Sequence, residues 1–204
     1  MSLIHRTTVT PTKLELLTDW LPTQPWYRGS GRPELAKAGG FRLDDPKNVV
    51  GIEFMVVLDG GVTYHVPMTY RSEPLADGTD ALVGVMRHGV LGERFAYDGV
   101  HDPVLVSTLV ALFNGEVEPQ MQSVSHTVDA TVTATHAGGR IEPETFAVTA
   151  NNEDGTEVRL RPDLVLRIRR HLADPLPAHT GQVTATFRSA AGTETSEPVI
   201  LLLG

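Results

Sequence analysis

The stretch VVGIEFMVVLDGGVTYHVPMTYR, residues 49–71, carries the clearest structural signal in this sequence. It holds two runs rich in β-branched and aromatic residues, separated by Asp59-Gly60-Gly61. Asp-Gly and Gly-Gly pairs readily adopt the positive φ angles that a tight hairpin turn requires. In the second run, residues 62–71, apolar side chains alternate with Thr63, His65 and others, which is the period of a strand with one buried face. The stretch predicts an antiparallel β-hairpin.

The flanking segments extend this picture in both directions. Upstream, Thr10-Pro11 predicts the start of a helix with Thr10 as N-cap, because Pro is favoured at the first helical position. Downstream, residues 81–99 predict a second antiparallel pair of strands. Asp102-Pro103 then predicts a second helix that ends at Gly115. We therefore expect a helix, two hairpins and a second helix in this half of the chain.

After about residue 120 the sequence changes character. Short β-branched segments follow one another, separated by Gly, Asp-Gly and Pro turns, which is typical of an all-β unit. The predicted fold class is α+β and mostly antiparallel β. We place an approximate boundary between an α+β domain, residues 1–119, and a β-rich module, residues 120–204. The sequence leaves open whether the second half is a separate domain or continues the first sheet.

Composition excludes several classes of protein. The chain has 204 residues, no cysteine and a net charge of −8. Without cysteine there are no disulfides, thiolate metal sites or Cys nucleophiles. The acidic balance argues against binding to nucleic-acid backbones. No stretch reaches the roughly 20 apolar residues of a membrane span, and the N-terminus has no apolar run of the signal-peptide type. We expect a soluble cytoplasmic protein without a membrane or nucleic-acid partner.

Catalytic and cofactor motifs are missing from the sequence. There is no P-loop, no GxGxxG between a strand and a helix, and no HExxH or GxSxG pattern. The eight histidines are scattered singly, without metal-type spacing. We therefore expect no cofactor and no metal. The sequence leaves enzymatic activity undecided and favours a non-catalytic protein.

The loop PWYRGSGR, residues 25–32, is one of two candidate binding segments. Its candidate residues are Trp26, Tyr27, Arg28 and Arg32. Three interpretations are open. The loop is a structural corner with buried aromatics and glycine turns, a protein-contact surface rich in hot-spot residue types, or a carbohydrate or phosphate site.

The basic run RLRPDLVLRIRRH, residues 159–171, is the second candidate segment. Arg167 and Arg169 are expected on one side of a strand, because side chains alternate across a strand. One interpretation is a solvated strand face that is paired with acidic residues. The other is a site for an anionic ligand or an acidic partner surface.

Part of the chain resembles the N-terminal cap domain of bacterial maltokinases and related sugar kinases. Those caps carry a W-L-x-x-x-x-W-[FY]-x-G-K-x-R run followed by a strand with Y-x-x-P-[LM]. The similarity covers roughly residues 12–114, and Ser30 replaces the family's lysine. The matching residues are Trp20, Leu21, Trp26, Tyr27, Gly29, Arg32, Tyr64, Pro67 and Met68.

The resemblance implies a cystatin-like helix-on-sheet cap. In the family a protein-kinase-like core follows it, whereas this sequence has no HxD catalytic loop, and Arg167 stands where a kinase strand would carry lysine. We expect a non-catalytic, cap-like protein that binds or regulates a protein partner in glycogen, maltose, trehalose or sugar-phosphate metabolism, with a carbohydrate as a further candidate ligand. The alternatives are a divergent sugar phosphotransferase or glucan-acting enzyme, and a general protein-interaction module.

Overall fold

The computed structural model describes residues 8–124 and 126–204 and has an α+β fold dominated by antiparallel strands. This confirms the predicted fold class at that level. The helices are α1 (Lys13–Trp20) and α2 (Pro103–Phe113). The strands are β1 (Val9–Thr10), β2 (Leu35–Asp44), β3 (Gly51–Asp59), β4 (Val62–Arg71), β5 (Leu82–His88), β6 (Gly92–Asp98), β7 (Gln120–Met121), β8 (Thr133–His136), β9 (Ala147–Asn152), β10 (Gly155–Arg161), β11 (Leu164–Ile168), β12 (Gly181–Arg188) and β13 (Glu194–Leu203).

The described strands form one 13-stranded sheet in the order β1-β5-β6-β4-β3-β2-β12-β13-β11-β10-β9, with β7 beside β2 and β8 beside β12. All neighbouring strands are antiparallel. The predicted hairpin is confirmed, since Asp59 pairs with Val62 across a turn at Gly60-Gly61. Gly60 has a φ of 56°, the positive value that its position in the turn requires.

Helix α1 begins two residues later than predicted. Its N-cap is Thr12, so the prediction that Thr10 caps the helix is wrong. The hydroxyl of Thr12 accepts a hydrogen bond from the backbone N–H of Glu15 at 3.2 Å, and the Glu15 carboxylate accepts one from the Thr12 N–H at 2.7 Å. This reciprocal capping box satisfies two backbone donors that the first helical turn would otherwise leave free.

Helix α2 begins where the sequence predicts. The Asp102 carboxylate caps it by accepting from the N–H of Val104 at 3.0 Å, and Pro103 occupies the first helical position. Asn114 is the C-cap, and Gly115 follows with a φ of 71°. Asp102 also accepts two hydrogen bonds from Arg71 at 2.7 Å each, which ties α2 to the end of β4.

Strand β3 is buried on both faces and separates two apolar clusters. Phe54 and Val56 belong to the larger cluster, which contains α2 and apolar residues of β2 and β10–β13. Met55 and Val57, which alternate with them, belong to the smaller cluster beneath α1, the loop at Trp26 and strands β4–β6. The two-residue period of a strand therefore gives each cluster its own set of side chains.

The two halves of the chain meet in the sheet and in the larger cluster. Strands β2 and β12 pair at Gly39 and Phe187, and Tyr64 of β4 forms a bridge with His171. The larger cluster draws residues from both sides of position 120. The division into residues 1–119 and 120–204 stays a prediction, and the contact between its two parts brings the candidate binding segments together.

Candidate functional site

The base of the PWYRGSGR loop packs into the smaller cluster. Trp26 is buried, with its ring edge-on to Trp20 at a centroid distance of 5.7 Å. The Arg170 guanidinium lies over the Trp26 ring, 4.7 Å from its centroid. Tyr27 stacks on Tyr64 at 5.7 Å and donates a hydrogen bond to Asp59 at 2.8 Å. Trp26 and Tyr27 therefore anchor the loop.

The chemistry of Tyr27 follows from this anchoring. Burial and the hydrogen bond to the Asp59 carboxylate raise the pKa of the Tyr27 phenol to about 12. Loss of the proton would place two negative charges within hydrogen-bonding distance, so the phenol stays a donor at neutral pH. This fixed donor role is structural, since it joins the loop to the end of β3.

The tip of the loop is exposed. Residues 28–32 all lie at the surface, and Gly31 turns the chain with a φ of 80°. Arg32 is 74% exposed and pairs with Asp19 at 3.0 Å. An ion pair this exposed contributes little to stability, so Arg32 remains accessible to a partner.

A pocket brings the two candidate segments together. Its volume is about 420 Å³, within the size range of ligand pockets. It contains three of the six candidate residues, one from the loop and two from the basic run, whereas Trp26, Tyr27 and Arg32 lie outside its lining. We call it the arginine pocket. Its lining residues are Arg28, Asp154, Arg167, Arg169, His171, Asp174, Pro175, Leu176 and Pro177.

Arg28 lines the pocket as one member of an ion pair with Asp174. Its guanidinium donates two hydrogen bonds to the Asp174 carboxylate, at 2.7 and 2.6 Å. The bidentate contact raises the pKa of Arg28 and lowers the pKa of Asp174. A two-point contact between planar groups orients both partners, so Arg28 presents its remaining N–H groups in a fixed direction.

Arg167 and Arg169 also have partners, but of different kinds. Arg167 donates to the Glu157 carboxylate on the neighbouring strand β10. Arg169 is buried and donates to the backbone carbonyls of Pro198, Leu172 and Asp174. Burial lowers the pKa of Arg169. Strand β11 ends at Ile168, so Arg169 lies just beyond it, and both arginines line the same pocket.

Six lining residues were not predicted as site residues from the sequence, and three of them are titratable: Asp154, His171 and Asp174. Asp154 is an exposed carboxylate in the β9–β10 turn and forms no ion pair with another described residue. His171 is buried, and its Nδ1 lies 3.5 Å from Asp174. Burial, together with the nearby Arg28 charge, lowers the pKa of His171, so the imidazole is neutral at pH 7. The pocket therefore contains charges of both signs beside a neutral ring.

Within residues 8–124 and 126–204 no group of three or more His, Asp or Glu side chains is placed to hold a metal ion. None of the helices in the same ranges is long and apolar enough to cross a membrane.

A protein-family model matches part of the chain. No curated protein matches the chain. The family match begins at Trp20 and ends at Asp102, so it includes the loop and strands β2–β6 but none of the pocket residues from 154 onwards. It lies inside the region, roughly residues 12–114, for which the sequence predicted the resemblance. Residues 20–102 match the family model of the maltokinase N-terminal cap domain, which confirms that resemblance.

Proposed function

We propose that this protein is a non-catalytic, cap-containing protein that binds or regulates a partner enzyme of maltose and α-glucan metabolism in the bacterial cytoplasm. The observation that carries the proposal is the match of residues 20–102 to a maltokinase cap domain that shares a sheet and an apolar cluster with the strands following it. The family name supports a role in maltose metabolism. The exposed loop tip on a buried base supports a role in binding.

The structure that follows the cap favours binding over catalysis. In the kinases that the cap resembles, a kinase core comes next. Here α2 comes next, followed by antiparallel strands, and the larger cluster joins residues such as Phe54 of β3 and Ile200 of β13. The C-terminal half thus covers the face of β3 on which Phe54 and Val56 lie. The division at residue 120 and the cystatin-like arrangement of the first half are parts of this proposal.

The exposed tip of the loop is the surface that we assign to the partner. Residues 28–32 are held by the buried Trp26 and by the Tyr27–Asp59 hydrogen bond, so the tip is presented on a rigid base. A preorganised surface loses less conformational entropy on binding than a mobile one. Arg32 is the most informative residue to test, because it is exposed and its ion pair with Asp19 is weak.

Affinity capture from the native cell extract tests the proposal. The tagged full chain is expected to recover a sugar kinase or glucan-pathway enzyme in near-stoichiometric yield, identified by mass spectrometry. Arg32→Ala should reduce the recovery, whereas Arg188→Ala, which removes an exposed arginine elsewhere, should not. Recovery of the protein alone would contradict the binding role. Transfer of phosphate from ATP to maltose by the purified chain would contradict the non-catalytic role.

A further inference from the structure

We propose that the free edge of β9 binds an extended, basic segment of a partner protein, which adds a strand beside β9 and places an apolar side chain in an adjacent groove. Strand β9 is the last strand in the order of the sheet. It pairs with β10 on one side, and no described strand pairs with it on the other. Neither the family match nor the loop at residues 25–32 includes this edge, so the site is additional to the proposed function.

An apolar groove lies beside this edge. Its volume is about 360 Å³, within the size range of ligand pockets. Phe146 and Val148 form one wall, and the turn at residues 99–101 and the start of α2 form the other. Phe146 is a large apolar residue that is 38% exposed. We call this space the β9 groove, and its lining residues are Val100, His101, Pro103, Val106, Phe146 and Val148.

The edge and the groove lie close enough for one bound segment to use both. Val148 belongs to β9, packs against the larger cluster and lines the groove. Side chains of an added strand alternate between the two faces of the sheet, so those on the inner face would lie over the groove. Backbone hydrogen bonds to the edge then give affinity, and the groove gives selectivity for an apolar side chain. The ladder with β10 shifts register between Val148 and Ala150, so we place the added strand beside the first half of β9.

The charge around the edge favours a basic segment. Residues 141–154 contain four acidic and no basic residues. Two of the acidic residues precede β9 and two follow it, and all four are exposed without an ion pair to another described residue: Glu142, Glu144, Glu153 and Asp154. Arg159 lies opposite Ala147 on β10 and still leaves this edge negative. Lys or Arg side chains near the ends of a bound segment would therefore meet unpaired carboxylates.

The same charges disfavour a second copy of this chain as the occupant. If two β9 strands paired in antiparallel fashion, the acidic residues before β9 of one copy would lie beside those after β9 of the other. Like charges at that separation repel. Strand β9 also contains no lysine and no proline, the residues that commonly block pairing at an edge. The edge is therefore open to strand addition by a basic chain and unfavourable for pairing with its own copy.

A synthetic peptide tests the proposal with the full chain. The probe is acetyl-Lys-Arg-Thr-Val-Thr-Val-Arg-Lys-amide, in which valines alternate with threonines between basic ends. Fluorescence anisotropy of a labelled copy gives the Kd. We expect binding that weakens as salt is added and that slows hydrogen exchange of the amides at residues 146–150. A peptide with Glu at each basic position, and a peptide N-methylated at alternate backbone nitrogens, should each bind at least about tenfold more weakly.

Variants of the chain locate the contact. The double variant Glu142→Gln/Glu144→Gln should weaken binding of the probe about fivefold, as expected for the loss of exposed charge contacts. Its matched control is Glu73→Gln/Glu194→Gln, which removes two exposed carboxylates elsewhere and should leave the Kd unchanged.

A second variant concerns the groove. Phe146→Ala removes part of the apolar wall and should weaken binding of the probe about tenfold. Leu91→Ala removes an exposed apolar side chain at the turn between β5 and β6, far from β9 in the order of the sheet, and should leave the Kd unchanged.

Three outcomes would overturn the proposal. Equal affinity for the N-methylated peptide would show charge attraction without strand addition. Absence of binding by the basic probe would exclude the site. A dimer in sedimentation equilibrium of the chain alone, whose formation protects the amides of β9 from exchange, would assign the edge to a second copy. A monomer that binds the probe with the expected order of affinities supports the proposal.

Discussion

The Arg170 guanidinium donates a hydrogen bond to the Asp98 carboxylate at 2.6 Å, and both side chains are almost completely buried, with exposed fractions of 0% and 2%. Asp98 ends β6, and Arg170 follows β11, so the ion pair joins the two halves of the chain. Arg170 also donates to the Thr156 hydroxyl at 2.9 Å. We predict that Asp98→Ala lowers the free energy of unfolding by about 3–5 kcal/mol, because it leaves a buried charge unpaired.

The control for this prediction is an exposed ion pair of similar geometry. Asp163→Ala breaks the 2.9 Å contact between Arg161 and Asp163, whose carboxylate is 75% exposed, and should cost less than about 1 kcal/mol. Both variants are compared by urea unfolding. The double variant Asp98→Leu/Arg170→Met should be less destabilised than Asp98→Ala alone, since it removes both charges. Equal losses in the two alanine variants would contradict a special role for the buried pair.

Trp20 supplies a second prediction about the core. It is buried on α1 and packs against Trp26 in the smaller cluster. Trp20→Ala should lower the free energy of unfolding by about 3–5 kcal/mol, the usual cost of removing a buried aromatic side chain. Val90→Ala removes an apolar side chain that is largely exposed and should change stability by less than about 0.5 kcal/mol. An unchanged thermal midpoint in Trp20→Ala would place the indole at the surface.

The stability of the fold should depend on pH through His65. This imidazole is buried, and its Nδ1 lies 3.2 Å from the Arg169 carbonyl. Burial, with a contribution from the Arg170 charge, lowers the pKa of His65 from 6.5 to about 3. The unfolded chain therefore binds the proton more readily than the folded chain, and stability falls as pH decreases from about 6.5 towards 3. Burial also lowers the pKa of His171, which changes stability in the same direction.

The size of this effect can be measured by urea unfolding at two pH values. Between about pH 6.5 and about pH 5.5 the His65 contribution alone should lower the free energy of unfolding by about 1 kcal/mol. His65→Gln removes the titrating group. Between the same two pH values the free energy of unfolding of this variant should therefore fall by about 1 kcal/mol less than that of the wild type. A wild-type stability that rises as pH falls through this interval would contradict the assignment.

Gly40 gives a prediction about the backbone of β2. Its φ is 130°, and a Cβ placed on it would lie 2.1 Å from the backbone carbonyl oxygen of Phe54 in β3. Gly40→Ala should therefore destabilise the fold by more than about 2 kcal/mol, since strain and a backbone clash combine. A Cβ at Gly61 would meet no atom within 4 Å, so Gly61→Ala is the matched control and should be nearly neutral. Thermal unfolding measures both variants. A midpoint that falls equally in the two would contradict the predicted clash at Gly40.

Local parts of the fold were predictable from the sequence because their signals are local. The hairpin of β3 and β4 follows from Asp59-Gly60-Gly61, and the start of α2 follows from Asp102-Pro103. The start of α1 was predicted two residues early, although the pattern Thr12-x-x-Glu15 is itself a capping-box signature. A proline within a strand usually lies at an edge or a bulge. Strand β4 is internal, but its ladder with β6 begins only at Met68, so Pro67 needs no donor on that side.

The candidate site could be predicted only in part because it depends on long-range contacts. Arg28 and Asp174 form their ion pair although 146 positions separate them in the sequence, and no local sequence pattern predicts that pair. The alternation of side chains in the basic run predicts one continuous strand. However, β11 ends at Ile168, and the side chains that follow it are buried. Arg169 and Arg170 therefore lie buried beside backbone carbonyls and Asp98, where the sequence suggested a surface.

The pairing of β2 with β12 at Gly39 and Phe187 has a consequence for biosynthesis. The cap strands leave the ribosome well before β12 and β13 are made, since domains emerge from the N-terminus onward. Until then the face of β3 that carries Phe54, and the edge of β2, have no cover from the C-terminal strands. Contacts between residues this distant in sequence form slowly, because a long loop must close first. Nascent chains of this protein should therefore need chaperone protection until β12 and β13 have left the ribosome.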